Sequence, residues 1–227
     1  MRCCLANENS KRWDFELSKL LPLIIDLESK KIIIFGGGLV GERKAKLFQG
    51  ADLTVVSKDF TSTLCQLKDE GHIQLIESDL GDIKIESIIE DAFMVVPATD
   101  DLALNSKITA MAKKHKILVN SVDGVDDIIV PSVLKRGDIM IGISTLGKSP
   151  VMSKFIRKKL EHIIDEKYAE MVRLQCEIRA LLKQQVKDHK LRKRILLSIL
   201  FDEEIWQNMD DYDKARDLAI SKWIDRA

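Results

Sequence analysis

A glycine-rich turn between an apolar run and a helical pattern constrains the fold of this chain more than any other feature. Residues 32–35 are apolar and mostly β-branched, as expected of a strand that is buried on both faces of a parallel sheet. They lead into Gly36-Gly37-Gly38-Leu39-Val40-Gly41, a G-x-G-x-x-G pattern, and then into a helical stretch that ends near Gly50. A strand before the glycines and a helix after them predict a dinucleotide-binding site.

The glycines of this pattern have separate roles. Gly36 permits the tight turn, Gly38 lets a pyrophosphate approach the backbone, and Gly41 lets the helix pack against the strand. The first helical residues, Leu39 and Val40, present backbone N–H groups at the positive end of the helix dipole. We therefore expect these five residues to bind the cofactor.

The second strand, predicted at residues 53–56, ends at a position that usually identifies the cofactor. NAD-binding domains carry an Asp or Glu there, which binds the ribose hydroxyls. This chain has Ser57, Lys58 and Asp59 instead. Either Asp59 reaches the ribose of NAD, or Ser57 and Lys58 accept the 2′-phosphate of NADP. In a third interpretation, the three residues only cap the next helix.

Further strands and helices alternate along the next part of the chain. The sequence predicts strands at 73–76, 93–96 and 117–119, and helices at 83–91 and 102–115. This alternation is typical of an α/β fold with a Rossmann-like, doubly wound parallel sheet. Ligands of such sheets bind at the carboxyl ends of the strands, where Thr99 and Asn120 lie. Thr99 or Asp100 is the expected N-cap of the helix that follows.

The pattern differs on either side of this region. Before it, the apolar stretch 20–27 contains Pro22, which favours a leading strand at a sheet edge. After it, residues 128–144 suggest an antiparallel hairpin, which needs the main sheet or another subunit to bury both faces. Ser149 followed by Pro150 predicts a helix start. From residue 151 to the end, apolar residues recur only at helical spacing.

Composition excludes several functional classes. Lys and Arg together number 36, as do Asp and Glu, so no net charge attracts nucleic acid or a membrane surface. No apolar run approaches the roughly 18 residues that a membrane span requires. The four cysteines lack C-x-x-C spacing and the four histidines lack the spacing of metal ligands, so we expect no metal site. These features favour a reduced, cytoplasmic protein.

Several short motifs resemble those of the precorrin-2 dehydrogenase family, the stand-alone form of the amino-terminal half of siroheme synthases. The motifs span roughly residues 20–160 and include the glycine-rich turn extended to Ala45, Ala98-Thr99-Asp100-Asp101, Asn120-Ser121-Val122-Asp123, Pro131-Ser132 and Gly147-Lys148-Ser149-Pro150. The resemblance implies NAD-dependent conversion of precorrin-2 to sirohydrochlorin, and some members also insert ferrous iron. It further implies a homodimer, with a Rossmann domain at 1–130, a dimerisation segment at 131–165 and a helical domain at 166–227.

The resemblance also makes Asp123 the key carboxylate. At the end of a strand beside the expected nicotinamide, Asp123 is suited to act as a general base. Because the tetrapyrrole substrate carries carboxylates, we expect a locally basic crevice, to which Arg43, Lys44, Lys135, Arg136, Lys148 and Lys154 are candidates to contribute. Asn120, Thr145, Lys148 and Ser149 are the predicted substrate-binding residues.

Two other functional classes are compatible with the glycine-rich turn. One is a non-catalytic dinucleotide sensor that uses the helical region to dock a partner. This alternative gives no role to residues 120–123 or 147–150. The other is a structural protein in which the turn no longer binds a nucleotide.

Overall fold

A parallel five-stranded sheet forms the centre of the first part of the chain. The computed structural model describes residues 21–79, 84–121 and 127–225. Its parallel strands are β1 (Lys31–Phe35), β2 (Asp52–Ser57), β3 (Gln74–Glu77), β4 (Met94–Pro97) and β5 (Leu118–Val119). They lie in the order β3-β2-β1-β4-β5, so the direction of winding reverses beside β1. This confirms the predicted doubly wound α/β fold.

Helices cover both faces of the sheet and explain why β1 is continuously apolar. The connecting helices are α1 (Leu39–Leu47), α2 (Ser62–Asp69), α3 (Ile85–Ile89) and α4 (Leu102–Lys114). Ile32 and Ile34 join one buried cluster with α1 and α2, whereas Ile33 and Phe35 join a second with α3 and α4. A strand with both faces covered has no solvent-facing position for a polar side chain.

A hairpin and a long helix follow the sheet. Strands β6 (Ser132–Arg136) and β7 (Ile139–Ile143) pair in antiparallel fashion, as expected, and the turn between them contains Gly137. Helix α5 (Pro150–Ile163) packs against both strands. Its N-cap is Ser149, whose hydroxyl accepts a hydrogen bond from Met152 N at 3.2 Å, and Pro150 occupies the first turn. The predicted helix start is therefore confirmed.

Four helices with their own buried cluster make up the last part of the chain. They are α6 (Glu166–Gln185), α7 (His189–Leu200), α8 (Glu203–Gln207) and α9 (Tyr212–Trp223). Each begins after an aspartate N-cap: Asp165, Asp188, Asp202 and Asp211. Within residues 144–225 the structure contains no strand, which agrees with the helical spacing of the sequence. No helix in the described ranges is long and apolar enough to cross a membrane.

Two local predictions are wrong. The stretch 21–27 forms no strand, because it pairs with neither edge strand, β3 or β5, and the chain turns directly into β1 through a Lys30 N to Leu27 O hydrogen bond. The N-cap of α4 is Asp101 rather than Thr99 or Asp100, because the Asp101 carboxylate accepts hydrogen bonds from two N–H groups of the first turn. The bounds of the three predicted domains stay predictions.

Candidate dinucleotide and substrate site

The loops after β2 and β4 meet the glycine-rich turn after β1. Gly36 has a φ of +117°, which favours glycine, and a Cβ there would lie 2.4 Å from the carbonyl oxygen of Ala98 after β4. A Cβ on Gly37 would lie 2.1 Å from the carbonyl oxygen of Asp59 after β2. The carboxyl ends of three neighbouring strands therefore pack closely around this turn. This is the crevice in which open α/β sheets bind ligands.

Gly38 differs from the other glycines of the turn. A Cβ on Gly38 would meet no atom of the described residues within 4 Å, so these residues leave the space above Gly38 open. Gly38 is also the N-cap of α1 and, as a glycine, has no side chain with which to cap this helix end. The N–H groups of the first turn of α1 are therefore accessible to a ligand, as pyrophosphate binding requires. Gly41 packs against the turn instead, since a Cβ there would lie 1.9 Å from the carbonyl oxygen of Gly36.

These features fit a dinucleotide. Gly36, Gly38 and the helix start at Leu39, Val40 and Gly41 would hold the pyrophosphate through backbone atoms. Leu39 is largely exposed at this point and Val40 is half-buried. The structure thus brings together the five residues that the sequence assigned to this role.

The residues after β2 lie beside the turn and remain candidates for the ribose. Ser57 is half-buried, and its Cβ lies 3.0 Å from the position that a Cβ on Gly37 would take. Lys58 and Asp59 are exposed, and the Lys58 ammonium is 3.9 Å from an Asp79 carboxylate oxygen. An ammonium this exposed and this loosely paired is available to a phosphate. The choice between the ribose hydroxyls and a 2′-phosphate stays open at this position.

Thr99 is held in place by Asn105 of α4. Its hydroxyl donates to Asn105 Oδ1 at 2.7 Å, and the Asn105 amide returns a hydrogen bond to the Thr99 carbonyl at 2.9 Å. The backbone N–H of Thr99 also points to Asn105 Oδ1, at 3.2 Å. These bonds fix the loop after β4 against the glycine-rich turn. The predicted contact of Thr99 with the cofactor stays a prediction.

Asn120 directly follows β5 at the carboxyl edge of the sheet, and its side chain is buried there. Only 3% of the residue is exposed, and both ends of its amide have partners. Its Oδ1 accepts a hydrogen bond from the Lys44 ammonium at 2.5 Å, and its Nδ2 donates to the Ile128 carbonyl at 2.8 Å. This arrangement supports a positioning role for Asn120 more than the predicted direct contact with substrate.

The Lys44–Asn120 pair was not predicted as a contact. The two residues are 76 positions apart, and only the sheet order brings α1 and the end of β5 together. Burial lowers the pKa of the Lys44 ammonium, and the positive charge of Arg43 lowers it further. The one sequence feature that pointed to Lys44 was its position in the helix that follows the glycine motif.

The predicted catalytic residue, Asp123, lies outside the described residues. The nearest described residues before and after it are Ser121 and Asp127. An Asp127 carboxylate oxygen accepts a hydrogen bond from Val119 N at 3.2 Å, which holds the returning chain against β5.

Thr145, Lys148 and Ser149 form a separate group at the start of α5. The Thr145 hydroxyl accepts a hydrogen bond from Ser149 N at 3.0 Å and donates to the Ser149 carbonyl at 2.9 Å. Lys148 is exposed. Within the described ranges, no hydrogen bond or ion pair connects this group to the glycine-rich turn. The same ranges hold no cluster of three or more His, Cys, Asp or Glu side chains that would suit a metal ion.

Comparison with known proteins places this site in context. Residues 23–132 match a family model described as "Putative NAD(P)-binding". The chain is 46% identical to a precorrin-2 dehydrogenase of Methanosarcina barkeri over 209 residues, which cover 90% of this chain and 93% of the relative. It is 30% identical to a siroheme synthase of Escherichia coli over 86% of this chain but only 42% of the relative. The chain thus spans less than half the length of the siroheme synthases it matches.

A solved structure has the same fold. The structure described as "SirC, precorrin-2 dehydrogenase" matches 89% of this chain and all of its own length, with a TM-score of 0.73 and 24% sequence identity. The match extends beyond the sheet into the hairpin and the helical part, because it covers more residues than the sheet contains.

Proposed function

This chain belongs to the precorrin-2 dehydrogenase family, and we propose that it oxidises precorrin-2 to sirohydrochlorin with NAD as the hydride acceptor. The observation that carries this proposal is the 46% identity to a precorrin-2 dehydrogenase across nearly the whole of both chains. The open space over Gly38, at the uncapped start of α1, supports it independently. The resemblance found in the motifs is confirmed.

The chain's own residues provide binding and proton transfer. NAD supplies the hydride-accepting ring when it is bound. The backbone of the glycine-rich turn binds the pyrophosphate, and the Thr99–Asn105 hydrogen bonds keep the neighbouring loop in place. Removal of a hydride from the macrocycle also releases a proton, which Asp123 accepts in this proposal. Asn120 fixes the start of the segment that contains Asp123.

A single anaerobic assay tests this function. Purified protein is mixed with precorrin-2 and either NAD or NADP, and the absorbance of sirohydrochlorin is followed. We expect product only when a nicotinamide cofactor is present, and faster product formation with NAD. A folded protein that binds NAD yet leaves precorrin-2 unchanged would refute the proposal and favour a dinucleotide sensor.

The homodimer belongs to the same proposal. We assign the dimer interface surface to the exposed apolar side chains of the hairpin and α5, because apolar side chains that a subunit leaves exposed in number usually mark an interface. Its members are Val133, Met140, Val151, Met152, Phe155 and Ile163. Equilibrium sedimentation should give twice the chain mass. Phe155→Glu, which places a charge in this surface, should shift the protein toward the monomer.

Ferrous-ion insertion stays a prediction of the family resemblance. In such a step ferrous ion is a substrate, so it does not require a resident metal site. Adding ferrous ion to the completed dehydrogenase assay tests it. A spectral change that the protein accelerates beyond the rate without protein would support insertion, and equal rates would argue against it.

A further inference from the structure

The Lys44 ammonium has no anionic partner among the residues that the structure describes. Its contact is a neutral atom, the Asn120 Oδ1 at 2.5 Å. Several other half-buried cations of this chain pair with carboxylates: Arg157 with Glu161, Lys167 with Asp210, Arg216 with Glu177, and Lys222 with Asp202. A cation that has lost part of its hydration is stabilised by a nearby opposite charge. Lys44 is therefore suited to receive an anion.

The position of Lys44 directs this charge toward the carboxyl edge of the sheet. Side chains on a helix lean toward its N-terminus, and α1 starts at that edge. The ammonium reaches Asn120, the first residue after β5. Of its three N–H donors, Asn120 takes one, which leaves donors for a ligand at the crevice.

Asn120 makes this position rigid. Its amide is buried and donates to the Ile128 carbonyl at 2.8 Å, so the oxygen that holds the ammonium is itself fixed. A donor held in place before binding loses little conformational entropy when the ligand arrives. Burial also lowers the pKa of the ammonium, and an anionic ligand would reverse this effect by favouring the charged form.

We propose that Lys44 binds a carboxylate of the tetrapyrrole substrate. The proposal rests on the proposed function, because it takes the ligand to be a macrocycle with acetate and propionate side chains. A charge-assisted hydrogen bond to such a side chain would orient the flat ring beside the nicotinamide. The pyrophosphate of NAD is the other anion in this crevice, but the open helix start at Gly38 provides its donors.

Binding of uroporphyrin, a stable macrocycle with the same kinds of acidic side chains, tests this role without turnover. Quenching of its fluorescence gives an affinity for the full-length protein and for Lys44→Gln, Lys44→Met and Lys46→Met. Glutamine can still donate to Asn120 but carries no charge, so it separates the charge from the hydrogen bond. Lys46 is a matched control on the same helix, because its ammonium is more exposed and already pairs with Glu42 at 2.6 Å.

We expect both Lys44 variants to bind uroporphyrin about 10- to 100-fold more weakly, the loss expected for one hydrogen bond to a charged group. Lys46→Met should bind within twofold of the wild type, and NAD affinity should stay unchanged in all variants. Wild-type affinity in Lys44→Gln would overturn the proposal. A loss of NAD affinity equal to the loss of uroporphyrin affinity would also overturn the proposal, because it would indicate that the Lys44 ammonium binds the pyrophosphate of NAD.

The anaerobic precorrin-2 assay separates this proposal from the proposed function. If the wild type does not oxidise precorrin-2, the proposed function fails whatever Lys44 binds. If it does, Lys44→Gln should raise KM for precorrin-2 by a factor similar to the loss of uroporphyrin affinity, with kcat reduced less. A lower kcat with unchanged KM and unchanged uroporphyrin affinity would instead make Lys44 a positioning residue and overturn the proposal.

Discussion

Gly38→Asp should abolish NAD binding while leaving the fold at least as stable as that of the wild type. Gly38 has a φ of −80°, which any residue can adopt, and a Cβ there would meet no atom within 4 Å in the part of the chain that the structure describes. An aspartate at this N-cap would supply the side-chain acceptor that α1 lacks. The improved cap adds a few tenths of a kcal/mol. The lower entropy of the unfolded chain adds about 0.4–1 kcal/mol.

The same substitution should weaken the binding of the cofactor. A carboxylate about 4 Å from a phosphate charge costs about 4 kcal/mol at an effective dielectric constant near 20. This corresponds to a loss of affinity of about 1,000-fold. The carboxylate would also occupy the N–H groups that the pyrophosphate needs.

Two measurements on the same variant test the expected gain in stability and the expected loss of NAD affinity. Titration calorimetry should show no detectable NAD binding by Gly38→Asp at concentrations that saturate the wild type. Thermal unfolding should show a melting temperature equal to that of the wild type or about 2–4 °C higher. NAD affinity within threefold of the wild type would place the pyrophosphate elsewhere. A clear fall in melting temperature would show that the space above Gly38 is not open.

Three other substitutions test different parts of the structure. Gly41→Ala should lower the free energy of unfolding by at least about 2 kcal/mol in urea titrations, because its Cβ would lie 1.9 Å from the Gly36 carbonyl oxygen. Asp202→Ala should cost about 3 kcal/mol in the same experiment, since it removes a helix cap and the partner of Lys222 at 2.7 Å. Burial favours a raised pKa for Asp202, but the hydrogen bonds from its partners outweigh burial and lower the pKa. The stabilisation by Asp202 is therefore present above the ordinary value of 3.8 and is lost as the pH falls through the lower folded-state pKa. Circular dichroism would detect this loss of stability, and Asp202→Ala should not show it. Asp123→Ala should abolish precorrin-2 turnover in the anaerobic assay but keep the wild-type affinity for NAD.

Local sequence patterns were sufficient where neighbouring residues determine the structure. The strand–turn–helix around Gly36 was predictable because a continuous apolar strand, a glycine at positive φ and a helix start all follow from adjacent residues. The helix start at Ser149 and Pro150 was predictable for the same reason. Local patterns were insufficient for the N-cap of α4. Thr99, Asp100 and Asp101 are all adjacent to that helix, and the hydrogen bonds between Thr99 and Asn105 leave Asp101 to cap it.

The candidate site was predictable only in part. Parallel strands place their carboxyl ends at one edge, so Gly36, Ser57, Thr99 and Asn120 were expected together. The sequence could not show that Asn120 is buried with both amide atoms occupied, because its partners are 76 and 8 residues away. It also could not show that Thr145 and Ser149 bond to each other rather than to the glycine-rich turn.

The sequence by itself determined the parallel sheet, the dinucleotide turn and the family, because these depend on periodicity and on short motifs of adjacent residues. Only the tertiary structure decided which side chains near the site have a charge or a hydrogen-bonding group available to a ligand. In the sequence, Lys44 shares its place in the helix of the glycine motif with Arg43, and nothing else separates it from the other candidate cations of the crevice. It becomes distinctive because folding half-buries its ammonium against a neutral amide, and no carboxylate among the described residues pairs with it.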